Sequence, residues 1–317
     1  MGKNILVLIR LSDEQKRFLE EKAAGAEFTY TTHKLVRSEQ IENANIIIGN
    51  PDAELLKAAR KLEWLQLQSA GVAEYTKEGV LSGDIILTNA TGAYGLAISE
   101  YMLGVLLELY KRLHLYRDNQ QEGNWSYLGK VKAIFNSTAL IVGMGDIGGE
   151  FAKRLKALGA YTIGIKRTDA IKPDYLDELY TMDKLETLLP RADVVTLCLP
   201  ETKLTNKIIN KSTLKLMKND AVLINVGRGN AVDTEALCDA LEAGQLFGAA
   251  LDVTDPEPLP KEHRLWSMKN AVITPHVSGG FSLEETGQRI AGIAAENLEA
   301  FIQGKNLINV IDRSKGY

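Results

Sequence analysis

A short apolar run, Ala139-Leu140-Ile141-Val142, leads directly into Gly143-Met144-Gly145-Asp146-Ile147-Gly148, and helical patterning then continues to Leu158-Gly159. Strand, G-x-G-x-x-G and helix in that order predict the opening of a doubly wound α/β domain built to hold a dinucleotide. Gly143 would permit the tight turn, Gly145 would let a pyrophosphate approach the backbone, and Gly148 would let the helix pack on the strand. Met144, Asp146 and Ile147 complete the predicted cofactor loop, and the helix amino terminus behind it favours negative charge.

The pattern around this loop extends the reading to a whole domain. Apolar runs at 139–142, 161–165, 193–198, 221–225, 247–251 and 271–274 predict six parallel strands. Ahead of them, runs at 5–9, 46–48, 64–67 and 85–87 alternate with helix-like stretches at 13–23 and 52–60, the signature of a second parallel sheet. One long helix is expected over 97–117 and another over 283–303, the latter opened by a capping box at Ser282-Leu283-Glu284-Glu285 and closed by Gly304. The segment 117–135 is the only long loop expected, and 307–311 can return to the first sheet. The chain should therefore divide into a substrate domain, 1–96 with 287–317, and an inserted dinucleotide-binding domain, 97–286.

Composition removes several classes of partner. Lys+Arg 37 against Asp+Glu 41 leaves a net charge of −4, no surplus for holding phosphate backbones, so nucleic acid is not expected as a partner. With 45% hydrophobic residues and 8 prolines the chain has the makeup of a folded globular protein. Its two cysteines, Cys198 and Cys238, fit neither a disulfide framework nor a metal-ligand spacing, which predicts a reducing, cytoplasmic setting and no metal. The first apolar run is too short for a signal peptide, and the most hydrophobic long segment, 96–116, carries Glu100, Glu108, Lys111 and Arg112, so no membrane association is expected.

Open α/β sheets bind ligands beyond the carboxyl ends of their strands, and the polar or special residues worth attention in the second domain fall there. The predicted strands are followed in turn by the glycine loop, Lys166-Arg167-Thr168, Leu199-Pro200, Gly227-Arg228-Gly229, Asp252 and Pro275-His276. Where an NAD enzyme usually places an acid for the ribose 2′-OH, this chain has two cations and a hydroxyl. A carboxylate would repel a 2′-phosphate, whereas Arg can fork onto its oxygens and Lys adds a point charge, so NADP (as NADPH) is expected over NAD.

At this point the chain resembles the D-isomer-specific 2-hydroxyacid dehydrogenases, with a look closest to the NADPH-dependent glyoxylate/hydroxypyruvate reductases. The resemblance rests on Gln68-Ser69-Ala70-Gly71-Val72, the glycine loop, Asn225-Val226-Gly227-Arg228-Gly229 leading into Val232-Asp233, Leu251-Asp252-Val253 with Glu257-Pro258-Leu259-Pro260, and Leu265-Trp266 followed by Thr274-Pro275-His276. It implies two doubly wound parallel-sheet domains, a flavodoxin-like substrate domain and an inserted Rossmann domain. It implies a catalytic Arg228, Glu257 and His276, and backbone N–H groups of Ser69, Ala70, Gly71 and Val72 holding the substrate carboxylate beside Arg228 and His276. Leu199, Pro200, Thr205, Val226 and Gly227 are implied at the cofactor, with Asp252 and Gly279 orienting the nicotinamide. A homodimer formed through the 97–117 helix is implied too, with Trp125 nearby.

The chemistry agrees with elementary demands. Reducing a 2-keto acid takes a hydride for the carbonyl carbon, a proton for its oxygen and a cation for the carboxylate, which a nicotinamide, His276 and Arg228 would supply. Glu257 would hydrogen-bond His276; formate dehydrogenases of this fold pair their histidine with a glutamine, so Glu257 argues against formate. Glycines 92, 95, 279 and 280 suggest hinges for domain closure. Asn50-Pro51 and the 70–75 loop carry no charge except Glu74, which favours a small uncharged side group, as in glyoxylate or hydroxypyruvate. Two alternatives stay open: an NAD-linked enzyme for another keto acid, and a nucleotide-sensing interaction protein of corepressor type on the same fold.

Overall fold

The computed structural model describes residues 2–280 and 283–313, and the chain forms two compact units, 1–94 with 281–317 and 95–280. The capping box expected at Ser282 lies outside the described residues.

Unit one is a five-stranded, all-parallel sheet of β1 (Asn4–Val7), β2 (Glu27–Tyr30), β3 (Ile46–Ile48), β4 (Trp64–Gln66) and β5 (Ile86–Thr88), in the order β2-β1-β3-β4-β5. The isoleucine triplet of β3 is wholly buried because helices cover both faces of a parallel sheet, so an unbroken apolar run is what such a strand needs. Helix α1 (Asp13–Glu21) starts where Ser12 and Gln15 cap one another reciprocally, and α2 (Ser38–Asn43) follows β2. Sequence patterning missed β2, a four-residue edge strand with alternate residues exposed. The helix expected over 52–60 contracts to a single 3-10 turn, Leu55–Ala58.

The final helix, Glu284–Ile302, is tied to this sheet by buried polar groups. Trp64 Nε1 donates to Thr88 Oγ1 at 2.8 Å, Thr88 Oγ1 donates to Gln66 Oε1 at 2.8 Å, and Asn297 Nδ2 donates to the same Oε1 at 2.8 Å. Asn297 Oδ1 in turn accepts Ile308 N at 2.8 Å, which docks the last stretch of chain. Each member is satisfied, the condition under which a buried polar network specifies packing rather than weakening it.

Unit two opens with α3 (Gly95–Lys111) and α4 (Leu113–Gln121). The single helix expected over 97–117 is thus broken, at Arg112, whose φ of 57° lies in the left-handed region. The difference is burial: α3 packs Ile98, Met102, Val105, Leu106, Leu109 and Tyr110, whereas α4 buries no residue fully. The sheet comprises β6 (Thr138–Val142), β7 (Tyr161–Lys166), β8 (Glu178–Thr181), β9 (Val194–Leu197), β10 (Val222–Asn225), β11 (Gly248–Leu251) and β12 (Ala271–Ile273). Their order is β12-β11-β10-β9-β6-β7-β8, all parallel, with α5 (Asp146–Ala157), α6 (Leu185–Leu188), α7 (Lys211–Leu214) and α8 (Thr234–Glu242) between strands. Strand order reverses between β6 and β9, the switch point at which such sheets bind ligands. Among the described residues no helix is long and apolar enough to cross a membrane.

The expected six strands become seven because β8 joins the edge, half-buried along its whole length and therefore without the apolar run that marks the others. Its anchor is Glu178, whose carboxylate accepts from both terminal nitrogens of Arg191, from the Tyr180 hydroxyl and from the Tyr161 hydroxyl. Arg191 foremost holds this carboxyl down at about 2, against the opposing effect of burial, with both phenols assisting. A depressed acid stabilises the fold above the ordinary carboxylate range and loses that contribution as pH falls toward 2. With Arg191 43% exposed, screening reduces the effect, and Glu178→Gln should cost about 1 kcal/mol at pH 7. Urea denaturation should show the gap between variant and parent narrowing from pH 5 to pH 3; a gap independent of pH would remove the ion pair as its cause.

Candidate active site

All seven strands of unit two point their carboxyl ends to one edge, and the residues singled out above line it. After β6, Gly143 takes a φ of +104°, and a Cβ there would lie 2.4 Å from the Cys198 carbonyl oxygen. A Cβ on Gly148 would lie 2.1 Å from the Gly143 oxygen, so these two glycines are demanded by the chain's own packing. Gly145 differs: a Cβ there would meet nothing within 4 Å. It caps α5 with no side-chain bond, leaving open space beside a helix amino terminus, the cradle a pyrophosphate requires. Asp146 turns its carboxylate to the start of α3, accepting Gly95 N at 2.7 Å, while Met144 packs over Gly164 of β7 and Ile147 is half-buried.

Lys166 is the last residue of β7, and it, Arg167 and Thr168 are all exposed with no carboxylate among them. After β9, Leu199 is buried and Pro200 exposed. Thr205 is buried and uses its hydroxyl internally, donating to the Pro200 oxygen at 2.8 Å and accepting Thr202 N at 2.9 Å, so it shapes this loop. At the end of β10 the fully buried Asn225 accepts Gly227 N at 3.1 Å and donates to the Arg228 oxygen at 2.9 Å, closing the turn that carries Arg228. Val226 is buried, and a Cβ on Gly227 would lie 2.6 Å from the Leu199 oxygen. On Gly229 it would lie 1.9 Å from the Thr254 oxygen, so larger residues on either side of Arg228 would push its loop off both neighbours. Arg228 itself is half-buried, with Nη1 donating to the Gly227 oxygen at 2.7 Å.

The histidine and its acid meet. His276 Nδ1 lies 2.7 Å from Glu257 Oε1, with side chains 47% and 43% exposed. A carboxylate accepts, so Nδ1 donates and Nε2 is the ring nitrogen left for another partner. His276 has a φ of 51°, a left-handed backbone that non-glycine residues rarely adopt. Asp252, 2% exposed at the end of β11, holds that turn. Its main-chain oxygen accepts His276 N at 2.8 Å, and its carboxylate accepts Val277 N at 2.9 Å, Ser278 N at 3.0 Å and the hydroxyls of Thr274 and Ser278. Gly279 follows, half-buried. The remaining histidines have other duties: His114 Nε2 bonds the Lys269 oxygen at 2.9 Å, His263 caps Leu265 N at 3.1 Å, and His33 is exposed in unit one.

In unit one the Ser69, Ala70, Gly71 and Val72 loop is clamped through its carbonyls and side chains. The Gln68 oxygen accepts from Tyr94, the Ala70 oxygen accepts Asn89 Nδ2 at 2.7 Å, and the Gly71 oxygen accepts the Ser69 hydroxyl at 2.7 Å. Asn50 adds two bonds, accepting Gln68 N at 2.9 Å and donating to Ser69 Oγ at 2.9 Å. Among the described residues the four N–H groups of 69–72 donate to no protein acceptor, which leaves them available to a ligand. Sequence reasoning missed Asn50 and Asn89 as clamps, and Thr274, Ser278 and Asn225 as supports, although Asn225 and Thr274 stood inside motifs already quoted. It also missed a crevice of about 1110 Å³ within unit one, lined in part by Arg10, His33, Lys34 and Gln68.

Similarities to known proteins bear on this site. The family described as D-isomer specific 2-hydroxyacid dehydrogenase, NAD binding domain, matches residues 103–278. A protein named glyoxylate reductase from Thermofilum pendens is 35% identical over 266 residues, 80% of this chain and 76% of that one. One named D-3-phosphoglycerate dehydrogenase from Methanocaldococcus jannaschii is 29% identical over 316 residues, 97% of this chain but 59% of its own length. The crystal structure of a D-isomer specific 2-hydroxyacid dehydrogenase family protein from Aeromonas salmonicida, 31% identical, superposes with a TM-score of 0.87 over 99% of this chain and 100% of that one.

Proposed function

Because the chain belongs to the D-isomer specific 2-hydroxyacid dehydrogenase family, we propose that it reduces a small 2-keto acid of the glyoxylate or hydroxypyruvate class to the D-2-hydroxy acid with NADPH. The observation that carries the reading is the 2.7 Å pairing of His276 with Glu257 at the carboxyl edge of a nucleotide-type sheet. We assign the cofactor role to unit two and the substrate-carboxylate loop to unit one.

The residues present fit a nicotinamide dinucleotide. The α5 amino terminus and the open face of Gly145 would take the pyrophosphate, and Lys166, Arg167 and Thr168 a 2′-phosphate. When bound, the cofactor supplies a hydride to the substrate's carbonyl carbon. This chain's groups do the rest. Arg228 binds the carboxylate and polarises the carbonyl, the free N–H groups of 69–72 share the carboxylate, and His276 Nε2 gives its proton to the carbonyl oxygen as charge develops there. Glu257 holds the ring in the orientation that presents Nε2. In the reverse direction the same nitrogen takes the hydroxyl proton.

Further parts of the reading concern setting and assembly. Trp125, Tyr127 and Phe135 are exposed in the segment after α4, at 103%, 80% and 68%, more apolar surface than a lone protomer favours, and support a homodimer with this segment in the interface. Two free cysteines fit a cytoplasmic setting.

The test is absorbance at 340 nm with NADPH or NADH against glyoxylate, hydroxypyruvate, pyruvate, 2-ketoisovalerate and 3-phosphohydroxypyruvate. Fastest oxidation of NADPH by glyoxylate or hydroxypyruvate is expected. Preference for the phosphorylated acid would point to the cations Arg10 and Lys34 of the unit-one crevice, and tight NADPH binding with no turnover of any acid would favour the nucleotide-sensing alternative.

A further inference from the structure

Tyr101 stands on α3, far in sequence from the catalytic turn, yet its hydroxyl lies 2.6 Å from Thr274 Oγ1. A threonine hydroxyl carries one proton, and Thr274 Oγ1 is also 2.6 Å from Asp252 Oδ1. Both Asp252 oxygens already face backbone N–H donors at Val277 and Ser278, so each acts as an acceptor and Thr274 must donate to Oδ1. The phenol is therefore the donor to Thr274, and the bonds run in one direction, Tyr101 to Thr274 to Asp252. Burial, above all, pushes the Tyr101 phenol up to about 12, so it remains a donor across the working range.

The far end of this run is the strained residue. A left-handed, non-glycine backbone such as that of His276 is strained and persists only where the surroundings over-determine it. Asp252 does so with both its main-chain oxygen and its carboxylate, and among the described residues Thr274 is the one side chain linking that carboxylate to another element of the unit. We infer that Tyr101 is a positioning residue for His276: by donating to Thr274 it fixes the threonine rotamer that orients the Asp252 carboxylate, and so holds the turn from which the imidazole reaches Glu257. The inference rests on the reading of His276 as the proton donor.

Tyr101→Phe removes one oxygen from the run and nothing else. The turnover number of keto acid reduction should fall about tenfold, since small displacements of a catalytic group are costly, while the KM for cofactor stays within about twofold. Thr274→Val should lose at least as much, and the double variant no more than Thr274→Val alone, because the two residues act in series. The ring resonances of His276, assigned by their absence in His276→Gln, should move in Tyr101→Phe while those of His263 do not. A Tyr101→Phe protein that melts lower but keeps its turnover number and its His276 resonances would overturn the inference, as would losses that multiply in the double variant. If the parent protein reduces no 2-keto acid, the functional reading fails and the His276 resonances alone decide whether Tyr101 positions the turn.

Discussion

Replacing His276 with glutamine is expected to lower the turnover of 2-keto acid reduction roughly 10³-fold, within the range that a positioned acid contributes, while cofactor affinity stays near that of the parent. Glutamine keeps a hydrogen-bonding group near Glu257 but has no proton to give at the position of Nε2. Glu257→Gln should cost less, about 10-fold to 10²-fold, because the imidazole remains and loses only its orienting acceptor, 2.7 Å away. Steady-state rates at saturating cofactor, with fluorescence titration of cofactor binding, separate the effects. A His276→Gln protein retaining more than about a tenth of the parent turnover would remove the histidine from proton transfer.

Reversing the charge after β7 should produce the second large change. Arg167→Asp is expected to lower kcat/KM for NADPH about 10²-fold while leaving NADH equal or improved, since a carboxylate repels a 2′-phosphate yet accepts from the ribose hydroxyl that NADH presents there. The size follows from unit charges a few ångströms apart near a protein surface. Lys166 should show a smaller effect in the same direction, as a point charge without the planar fork of arginine. Equal rates of the parent with both cofactors, or no change on Arg167→Asp, would assign these cations to the solvated turn alone.

Much of the fold was legible because two periodicities carry it. Strands covered on both faces must be continuous apolar runs, and β1, β3, β6, β9 and β10 announce themselves that way. The elements missed lack that signature. β2 and β8 sit at sheet edges with half their surface exposed, and the ion pair that anchors β8 comes from Arg191, distant enough in sequence that no local pattern shows it. The break at Arg112 was hidden for a related reason: apolar spacing continues through Leu113 and Tyr116, so the periodicity does not show where α3 ends and the left-handed Arg112 turns the chain into α4.

The sequence by itself determined the chemistry available at the edge of unit two. The glycine loop, the basic turn, Arg228, Glu257 and His276 each follow a strand, and since parallel strands share one carboxyl edge, linear order alone assigns them to one place. Tertiary structure alone decided how they are held. That Asp252 clamps the histidine turn, that Thr205 and Asp146 spend their polar groups on the protein itself, and that Tyr101 reaches Thr274 all depend on contacts between residues far apart in the chain. Backbone periodicity encodes which face a residue occupies, whereas a hydrogen bond between distant side chains is settled only when the packed elements bring them within 3 Å.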